Sequence, residues 1–335
     1  MGVAITDLLV GKEISFSDLR GKTIVIDGHN QLYQFLSVLR GPDGGPLTNS
    51  KGAITSHLQG LLGRVSEYLQ HGIKVIYVFD GTPPALKHQE LQRRKELKKQ
   101  AEEKYLVAKE RDDFENMRKY SSRMVSVTPE ILSSTKRFLE ILGIPYIQAP
   151  SEGEAQAAYI VKKGFADYVV SQDADAMLFE APFVIRNLSI QSSRKQPQKL
   201  KKKSVPTMLF SLEDTLKKQS ISLEQLRIIA LLTGTDFNVG GVKGLGPKKS
   251  LQLVKEKKPE ELFSDISWPF DDWKILYSLF EDMPVNEIKD ITFSDPDIEG
   301  LTQWLSSEFE FDSSRIKKIF EKVDTKQKGL SSFFR

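Results

Sequence analysis

Four short apolar runs along the chain predict the strands of a buried sheet. Uninterrupted runs that are rich in β-branched residues are typical of strands covered on both faces. The runs occupy residues 23–26, 74–79, 144–147 and 168–171. An aspartate or glutamate follows each run within a few residues.

Apolar residues at helical spacing lie between and after these runs and predict helices that cover the sheet. The helical candidates are 53–70, a segment that begins at Thr128 and Pro129, a segment that begins at Ser151, 223–233 and 244–254. Residues 183–212 alternate around a basic turn and predict a β-hairpin. The whole pattern predicts an α/β fold, with a central, mostly parallel, twisted sheet flanked by helices.

Residues 87–120 interrupt the pattern, because they are highly charged and contain few large apolar residues. Such a segment is expected to form a solvated helix or a mobile helical excursion without a core of its own. The net charge of the chain is only +3, but basic residues are concentrated in 87–119 and 194–203. This distribution suits a protein with a basic binding face and a separate acidic pocket.

The composition limits the chemistry. No apolar run approaches the roughly 20 residues that a membrane helix needs, so no membrane is expected as a partner. The chain contains no cysteine, which excludes disulfides, thiolate catalysis and cysteine-bound zinc. Because it has only 4 histidines, any catalytic metal would be held by oxygen atoms, which favours Mg²⁺ or Mn²⁺.

Seven carboxylates lie at the ends of predicted elements: Asp27, Asp80, Glu152, Glu154, Asp173, Asp175 and Asp236. Taken singly, each has an ordinary interpretation. Asp27 or Asp80 could be a turn residue after a strand. Ser151 with Glu154 fits a helix-capping box, and the pair after the fourth run could be solvated loop charges.

Taken together, the seven predict a metal site. The carboxyl ends of parallel strands share one edge of a sheet, so these acids are expected to converge. Like charges in close proximity are strongly destabilising, and divalent cations are the simplest compensation. Two such ions about 4 Å apart can activate water and stabilise the leaving oxygen of a phosphodiester. The pattern therefore predicts a two-metal phosphodiesterase.

Five motifs carry a resemblance to a known family: 26–27, 78–81, 149–155, 171–175 and 234–236. In order and spacing they resemble the motifs of the flap endonucleases, and the resemblance covers nearly the whole chain. The resemblance implies a structure-specific 5′ flap endonuclease with 5′–3′ exonuclease activity. Such an enzyme acts in Okazaki fragment maturation and base excision repair and is stimulated by the sliding clamp.

The resemblance also implies an architecture, with a helical arch and a helix-turn-helix-like element that binds DNA. The regions expected from it are 1–98, an N-terminal nuclease region; 99–130, the helical arch; 131–258, an internal nuclease region with a duplex-binding glycine turn; 259–323, a C-terminal helical region; and 324–335, a clamp-binding tail.

Individual roles follow from the same resemblance. The seven carboxylates would bind two Mg²⁺ per subunit, for which Mn²⁺ can substitute. Lys87 and Arg94 resemble the catalytic basic pair at the base of the arch, although their shared helix face could be merely solvated. Tyr33 resembles a tyrosine on which a terminal base stacks, although it could be a core aromatic. Arg64 resembles a backbone-binding arginine, and Gly2 would lie near the active site.

A glycine-rich turn at 240–246 leads into a predicted helix. It resembles the element with which these nucleases grip duplex DNA, where Gly244 and Gly246 let the backbone approach a phosphate. Lys248 and Lys249 add positive charge, and a K⁺ ion held by the turn is a further expectation from the family. The alternative is an ordinary glycine-rich loop.

The last residues resemble a clamp-binding peptide, with anchors at Gln327, Leu330, Phe333 and Phe334. One turn of tight helix would place the three apolar anchors in a pocket of the clamp, PCNA. The alternative is that the aromatic pair packs on its own domain. No basic extension follows the peptide, which resembles archaeal members, so a cytoplasmic, nucleoid-associated monomer is expected.

Two competing functions remain open. One is a related enzyme with a different branched DNA substrate, such as a junction resolvase or a bubble-cutting repair nuclease. The other is a clamp-tethered DNA scaffold without activity, which would require a missing metal ligand. The expected partner in the main interpretation is branched DNA with a 5′ flap.

Overall fold

The structure is a computed structural model that describes residues 3, 5–41, 44–188, 205–270 and 272–326. Gly2, the basic turn at 194–203 and the four predicted clamp anchors lie outside the described residues. Within these ranges, seven strands form one sheet. They are β1 (Val10–Glu13), β2 (Thr23–Asp27), β3 (Lys74–Phe79), β4 (Tyr146–Gln148), β5 (Tyr168–Val170), β6 (Phe183–Arg186) and β7 (Met208–Ser211).

The sheet has the order β1-β7-β6-β5-β2-β3-β4, and its five strands from β6 to β4 run parallel. Strands β6 and β7 pair antiparallel, which confirms the predicted hairpin between 183 and 212. The four apolar runs all form strands, and the α/β fold with a mostly parallel sheet is confirmed. Strand β1 was not predicted; it lies at the edge and pairs antiparallel with β7.

Helices cover both faces of this sheet. In the described ranges the helices of the chain are α1 (Gly28–Val38), α2 (Ser56–Gln70), α3 (His88–Glu110), α4 (Phe114–Ser121), α5 (Pro129–Ile141), α6 (Gly153–Lys162), α7 (Leu212–Gln219), α8 (Leu223–Thr233), α9 (Pro247–Glu256), α10 (Pro259–Asp265), α11 (Trp273–Glu281), α12 (Ile298–Phe309) and α13 (Ser313–Lys326). None of these helices has the length and apolar composition that crossing a bilayer requires.

Two apolar clusters lie on opposite faces of the sheet. Alternate residues of β2 divide between them: Val25 packs in one cluster, and Ile24 and Ile26 pack in the other. One cluster includes α6 and α8, and the other includes α2 and α5. Because both faces are covered, the central strands β2, β3 and β5 are apolar in their interiors, and polar side chains lie at or beyond their ends.

The charged segment forms two helices, α3 and α4, that pack against each other. Ala101 and Ala108 of α3 and Met117 of α4 are buried, so the expectation that this segment lacks any core is wrong. Small residues at helical spacing allow close packing without the large apolar side chains that the sequence argument looked for. Helix α3 begins before the predicted arch boundary at 99, and α13 continues into the predicted tail; the regional division remains a prediction.

Candidate active site

One cavity of about 370 Å³ brings together all seven predicted carboxylates. They come from the carboxyl ends of β2, β3 and β5, from the start of α6 and from the turn after α8. Strands β3 and β5 flank β2 in parallel, and this arrangement places three strand ends side by side. The convergence expected from the sheet is therefore present, and metal ligation by these acids remains a prediction.

Asp27 and Asp80 are held by backbone amides. Asp27 is the last residue of β2 and caps α1, because its Oδ1 accepts from the amide of Asn30 at 3.0 Å. The alternative of a turn residue is wrong for Asp27, because α1 begins at the next residue and Asp27 is its N-cap. Oδ1 of Asp80 accepts from the amide of Gly153 at 2.7 Å, and its own amide donates to Nδ1 of His29 at 3.0 Å.

Gly153 leaves room for the carboxylate of Asp80 where α6 meets the end of β3. A Cβ atom at this position would lie 2.7 Å from Oδ1 of Asp80. The predicted capping box at Ser151 is wrong, because Glu152 is the N-cap residue and has no side-chain capping bond. Ser151 instead donates from Oγ to the carbonyl of Thr82 at 3.0 Å, which leaves Glu154 directed to the cavity.

The acids after β5 and in α6 are held by one backbone amide and by polar side chains. Oδ1 of Asp175 accepts from the amide of Val3 at 2.8 Å, so the N-terminal segment supports this carboxylate. Oε1 of Glu154 accepts from Oγ of Ser171 at 3.2 Å. Nδ2 of Asn30 lies 3.4 Å from Oδ2 of Asp173.

A tight turn presents Asp236. Oδ1 of Asn238 accepts from the amide of Thr235 at 3.1 Å and from its Oγ1 at 2.7 Å. Nδ2 of Asn238 donates to the carbonyl of Leu231 at 2.7 Å, which anchors the turn to α8. Asn238 is buried, and its side chain makes all three of these hydrogen bonds. The turn that they stabilise fixes the backbone position of Asp236.

Two cations from the base of α3 reach into the acidic cavity. Nζ of Lys87 lies 2.5 Å from Oε2 of Glu152 and 3.5 Å from Oδ2 of Asp236. Nη2 of Arg94 lies 2.7 Å from the same oxygen of Asp236. The alternative of a merely solvated face is wrong for these two residues, and their catalytic role remains a prediction.

The electrostatics of the cavity oppose the ionisation of its acids. Burial and the neighbouring Asp80 raise the pKa of Asp27 to about 8. Burial and Asp173 raise the pKa of Asp175 to about 7, and burial and Asp175 raise the pKa of Glu154 well above its usual range. Burial opposes the charge of Lys87, but Glu152 outweighs it and the pKa of Lys87 is raised.

The donor set fits hard dications, since it consists of carboxylate oxygens whose mutual repulsion a divalent cation would relieve. Among the described residues, no three acidic or histidine side chains are yet arranged as a coordination shell. The oxygens are directed instead to backbone amides, to Lys87 and to Arg94. Metal binding would therefore exchange some of these contacts for metal–oxygen bonds.

The remaining predicted residues divide into exposed and buried positions. Tyr33 is 39% exposed and lines the cavity, so the core alternative is wrong. Arg64 is 5% exposed and pairs with Glu67 at 2.7 Å, a placement that does not favour contact with a DNA backbone. Gly244, Gly246, Lys248 and Lys249 are exposed at the start of α9, and that helix has no side-chain cap at its N-terminus.

Several site residues were missed by the sequence argument. Glu90 is buried and accepts from Nε of Arg94 at 2.6 Å; burial opposes its charge, but hydrogen bonds from Arg93 and Arg94 hold the pKa of Glu90 at about 2. The spacing of four residues between Glu90 and Arg94 was a usable signal. His29 and Asn30 contact residues that are distant in the chain, and the contacts of Asn238 depend on the geometry of a turn. No sequence pattern indicates these contacts.

Fold and site together define a class: an α/β nuclease-type protein with an acidic pocket at the carboxyl edge of its sheet. The family described as the XPG N-terminal domain matches residues 4–101, and the XPG I-region matches residues 143–236. Flap endonuclease 1 of Pyrococcus furiosus is 42% identical over 344 residues, which cover 100% of each chain. This chain belongs to the flap endonuclease 1 family.

Solved structures agree with this assignment. Flap endonuclease-1 from Methanococcus jannaschii matches with a TM-score of 0.75 and 38% identity, over 97% of this chain and 98% of that chain. The catalytic core of Rad2, in complex with a DNA substrate, matches with a TM-score of 0.73 over 96% of this chain and 100% of that chain. At 20% identity the second likeness concerns the fold alone.

Proposed function

We propose that this protein is a magnesium-dependent endonuclease that cuts branched DNA at 5′ flaps, with 5′–3′ exonuclease activity. The observation that carries the proposal is the single cavity in which seven carboxylates meet Lys87 and Arg94. Hard dications bound there would neutralise the acids and make water a better nucleophile toward a phosphodiester. Two Mg²⁺ ions, replaceable by Mn²⁺, are the proposed cofactors.

Lys87 and Arg94 would have one role in the metal-free protein and another in the metal-bound protein. Without metal they neutralise Glu152 and Asp236, and with metal they are free to turn toward a phosphate. Arg94 is anchored to Glu90 through Nε, so its remaining nitrogens can exchange Asp236 for a phosphate oxygen without losing that anchor. Both side chains would then stabilise the charge that develops on the scissile phosphate.

Three exposed features supply the proposed DNA contacts. The ring of Tyr33 lies beside the acidic cavity, where an unpaired base can stack on it. The uncapped N-terminus of α9 and the neighbouring Lys248 and Lys249 suit a duplex phosphate. A K⁺ ion at the turn that carries Gly244 belongs to the same proposal.

The proposed partner besides branched DNA is the sliding clamp PCNA, through Gln327, Leu330, Phe333 and Phe334. The support is the spacing of these residues, since they lie outside the described residues. Clamp docking would bring the enzyme to nucleoid DNA during Okazaki fragment maturation and base excision repair. Deleting residues 327–335 should abolish stimulation by the clamp and leave cleavage without the clamp unchanged.

The central test is cleavage of 5′-labelled flap, bubble and four-way junction DNA with Mg²⁺ or with EDTA. We expect the flap to be cut fastest, one strand at the junction, only with Mg²⁺. Preference for the four-way junction or the bubble would favour a resolvase or a repair nuclease instead. DNA binding without cleavage of any substrate would favour the inactive scaffold. Asp175→Ala should bind the flap without cutting it.

A further inference from the structure

Arg227 of α8 is a buried arginine whose guanidinium is satisfied on several sides. It is 3% exposed. Nε donates to the carbonyl of Leu178 at 2.9 Å, Nη1 to Oε1 of Glu281 at 3.0 Å, and Nη2 to Oε1 of Glu180 at 3.2 Å. A buried charge is tolerated only when it is paired and hydrogen-bonded in this way, so the contacts of Arg227 are strongly coupled to folding.

The first contact leads directly to the acids after β5. Leu178 follows the short 3₁₀ helix Asp175–Met177, and its amide donates to the carbonyl of Asp175 at 2.8 Å. The carbonyl of the same residue accepts from Arg227. The backbone of Leu178 therefore links the guanidinium to Asp175: its carbonyl group binds Arg227, and its amide group binds the carbonyl of Asp175.

The second contact leads to α6. The carboxylate of Glu180 lies between Nη2 of Arg227 and the ammonium of Lys162, the last residue of α6. Glu180 has a φ of 69°, a left-handed conformation that is unfavourable for a residue other than glycine. The helix that ends at Lys162 carries Glu154 in its first turn.

The third segment is α8 itself, because the turn after this helix carries Asp236. Arg227 thus links three segments that carry acids of the cavity: the loop after β5 directly, α6 through Glu180 and Lys162, and α8, on which it lies. Its remaining arm reaches Glu281 on α11, a helix that carries none of the seven acids. The contacts with Leu178 and Glu180 therefore lead toward the acidic cavity, and the contact with Glu281 leads away from it.

We propose that Arg227 is a positioning residue. It fixes the positions of these three segments relative to one another, so that their carboxylates can share divalent cations. The inference rests on the proposed nuclease function and adds a residue that touches neither substrate nor metal. Without the guanidinium, only apolar packing would hold the loop after β5 and α6 against α8. The acids would then have to be ordered by the metal, at the expense of metal affinity.

The test compares Arg227→Met, Arg227→Lys, Glu180→Gln and the control Glu281→Gln with the wild-type chain. Two Mg²⁺ midpoints are measured for each chain. The first is the MgCl₂ concentration that gives half of the Mg²⁺-induced rise in Tm without DNA, and the second is the MgCl₂ concentration that gives half-maximal flap cleavage. We expect both to increase about tenfold in Arg227→Met, a typical loss for residues that support metal ligands. Arg227→Lys and Glu180→Gln should show a smaller increase, and Glu281→Gln none.

A purely structural role would lower the Tm in EDTA and leave both Mg²⁺ midpoints unchanged, and that result would overturn the proposal. Equal Mg²⁺ midpoints in Glu180→Gln and Glu281→Gln would also overturn it, because the contact toward the cavity would then matter no more than the contact away from it. If Arg227→Met does not fold, the comparison of these two glutamate variants decides. If the wild-type chain cuts no flap, the proposed function fails, while the Tm titration still tests Arg227.

Discussion

Arg94 and Asp236 form an ion pair of 2.7 Å between the base of α3 and the turn after α8. The neighbouring Arg93 binds the same Glu90 as Arg94 but does not reach the cavity acids. The two arginines therefore form a matched pair, in which Arg94 reaches an acid of the cavity and Arg93 contacts only its own helix.

Arg94→Met should lower the single-turnover rate of flap cleavage by about 10²- to 10³-fold, the usual effect of losing one charge-stabilising donor. Arg93→Met should change that rate by less than about threefold, because its loss leaves Arg94 bound to Glu90. Both rates are measured with enzyme in excess over labelled flap. An equal loss in the two variants would mean that Glu90, and not the contact with the phosphate, is what matters.

Asp175→Asn should stabilise the metal-free protein. The pKa of Asp175 is raised to about 7 from 3.8, so its ionisation destabilises the folded protein. This cost is absent below about pH 4 and fully present above about pH 7. The free energy of unfolding in EDTA at pH 8 should rise by roughly 2 to 4 kcal/mol in the variant. Asparagine can still accept the hydrogen bond from the amide of Val3.

Denaturant titrations at pH 5 and pH 8, with EDTA and with Mg²⁺, check this prediction. The wild-type chain should lose stability between pH 5 and pH 8 in EDTA and recover it when Mg²⁺ is added. The variant should show a smaller loss and a smaller recovery. A variant that is less stable than the wild-type chain at pH 8 in EDTA would show that the carboxylate is not under strain.

The sheet could be predicted from sequence because its strands are buried on both faces. Thr23–Asp27 and Lys74–Phe79 are apolar almost without interruption, and their parallel pairing follows from the helix between them. Strand β1 has no such signal, since only Val10 among its four residues is even partly buried. It is a strand because β7 offers it an edge, and that is a property of the tertiary structure.

The site divides in the same way. Acids at the ends of strands can be predicted, because the topology of a parallel sheet decides where they meet. The partners of those acids cannot, because the amide of Val3 reaches Asp175 and the amide of Gly153 reaches Asp80 only after long-range packing. The contacts of Arg227 belong to this second group. The apolar residues around it in α8 indicate that it is buried, but no pattern indicates its partners.

Gly153→Ala should impair the site much more than a glycine substitution elsewhere. Its Cβ would lie 2.7 Å from Oδ1 of Asp80, so the carboxylate or the start of α6 must move. We expect at least a tenfold loss of flap cleavage, since a misplacement of about 1 Å costs roughly 10²-fold. Gly63→Ala is the control, because nothing lies within 4 Å of its added Cβ, and it should raise stability by up to about 1 kcal/mol.

Thermal unfolding and the cleavage rate are measured on both glycine variants. Equal activity in Gly153→Ala and the wild-type chain would show that the bond between the amide of Gly153 and Asp80 is dispensable. Thermal unfolding separates loss of activity from loss of fold, and the control gives the effect of alanine at a helical glycine with free space around it.

His57 should make the protein less stable in acid. It is 1% exposed, and Ser134 donates from Oγ to the carbonyl of Glu130 at 2.8 Å. The imidazole must therefore donate from Nε2 to Oγ of Ser134, 2.7 Å away, and Nδ1 has no partner among the described residues. Burial lowers the pKa of His57 to about 4, because a proton on Nδ1 would be both charged and unpaired.

The unfolded chain binds this proton near pH 6.5 and the folded chain only near pH 4, so stability is lost as the pH falls between these values. The loss should reach about 3 kcal/mol at pH 4. His57→Gln cannot titrate, so the difference in unfolding free energy between wild-type and variant should shift by that amount, in favour of the variant, between pH 7 and pH 4. The acids of the cavity are common to both chains and cancel in this difference. A difference that stays constant over the same range would show that His57 is protonated in the folded protein.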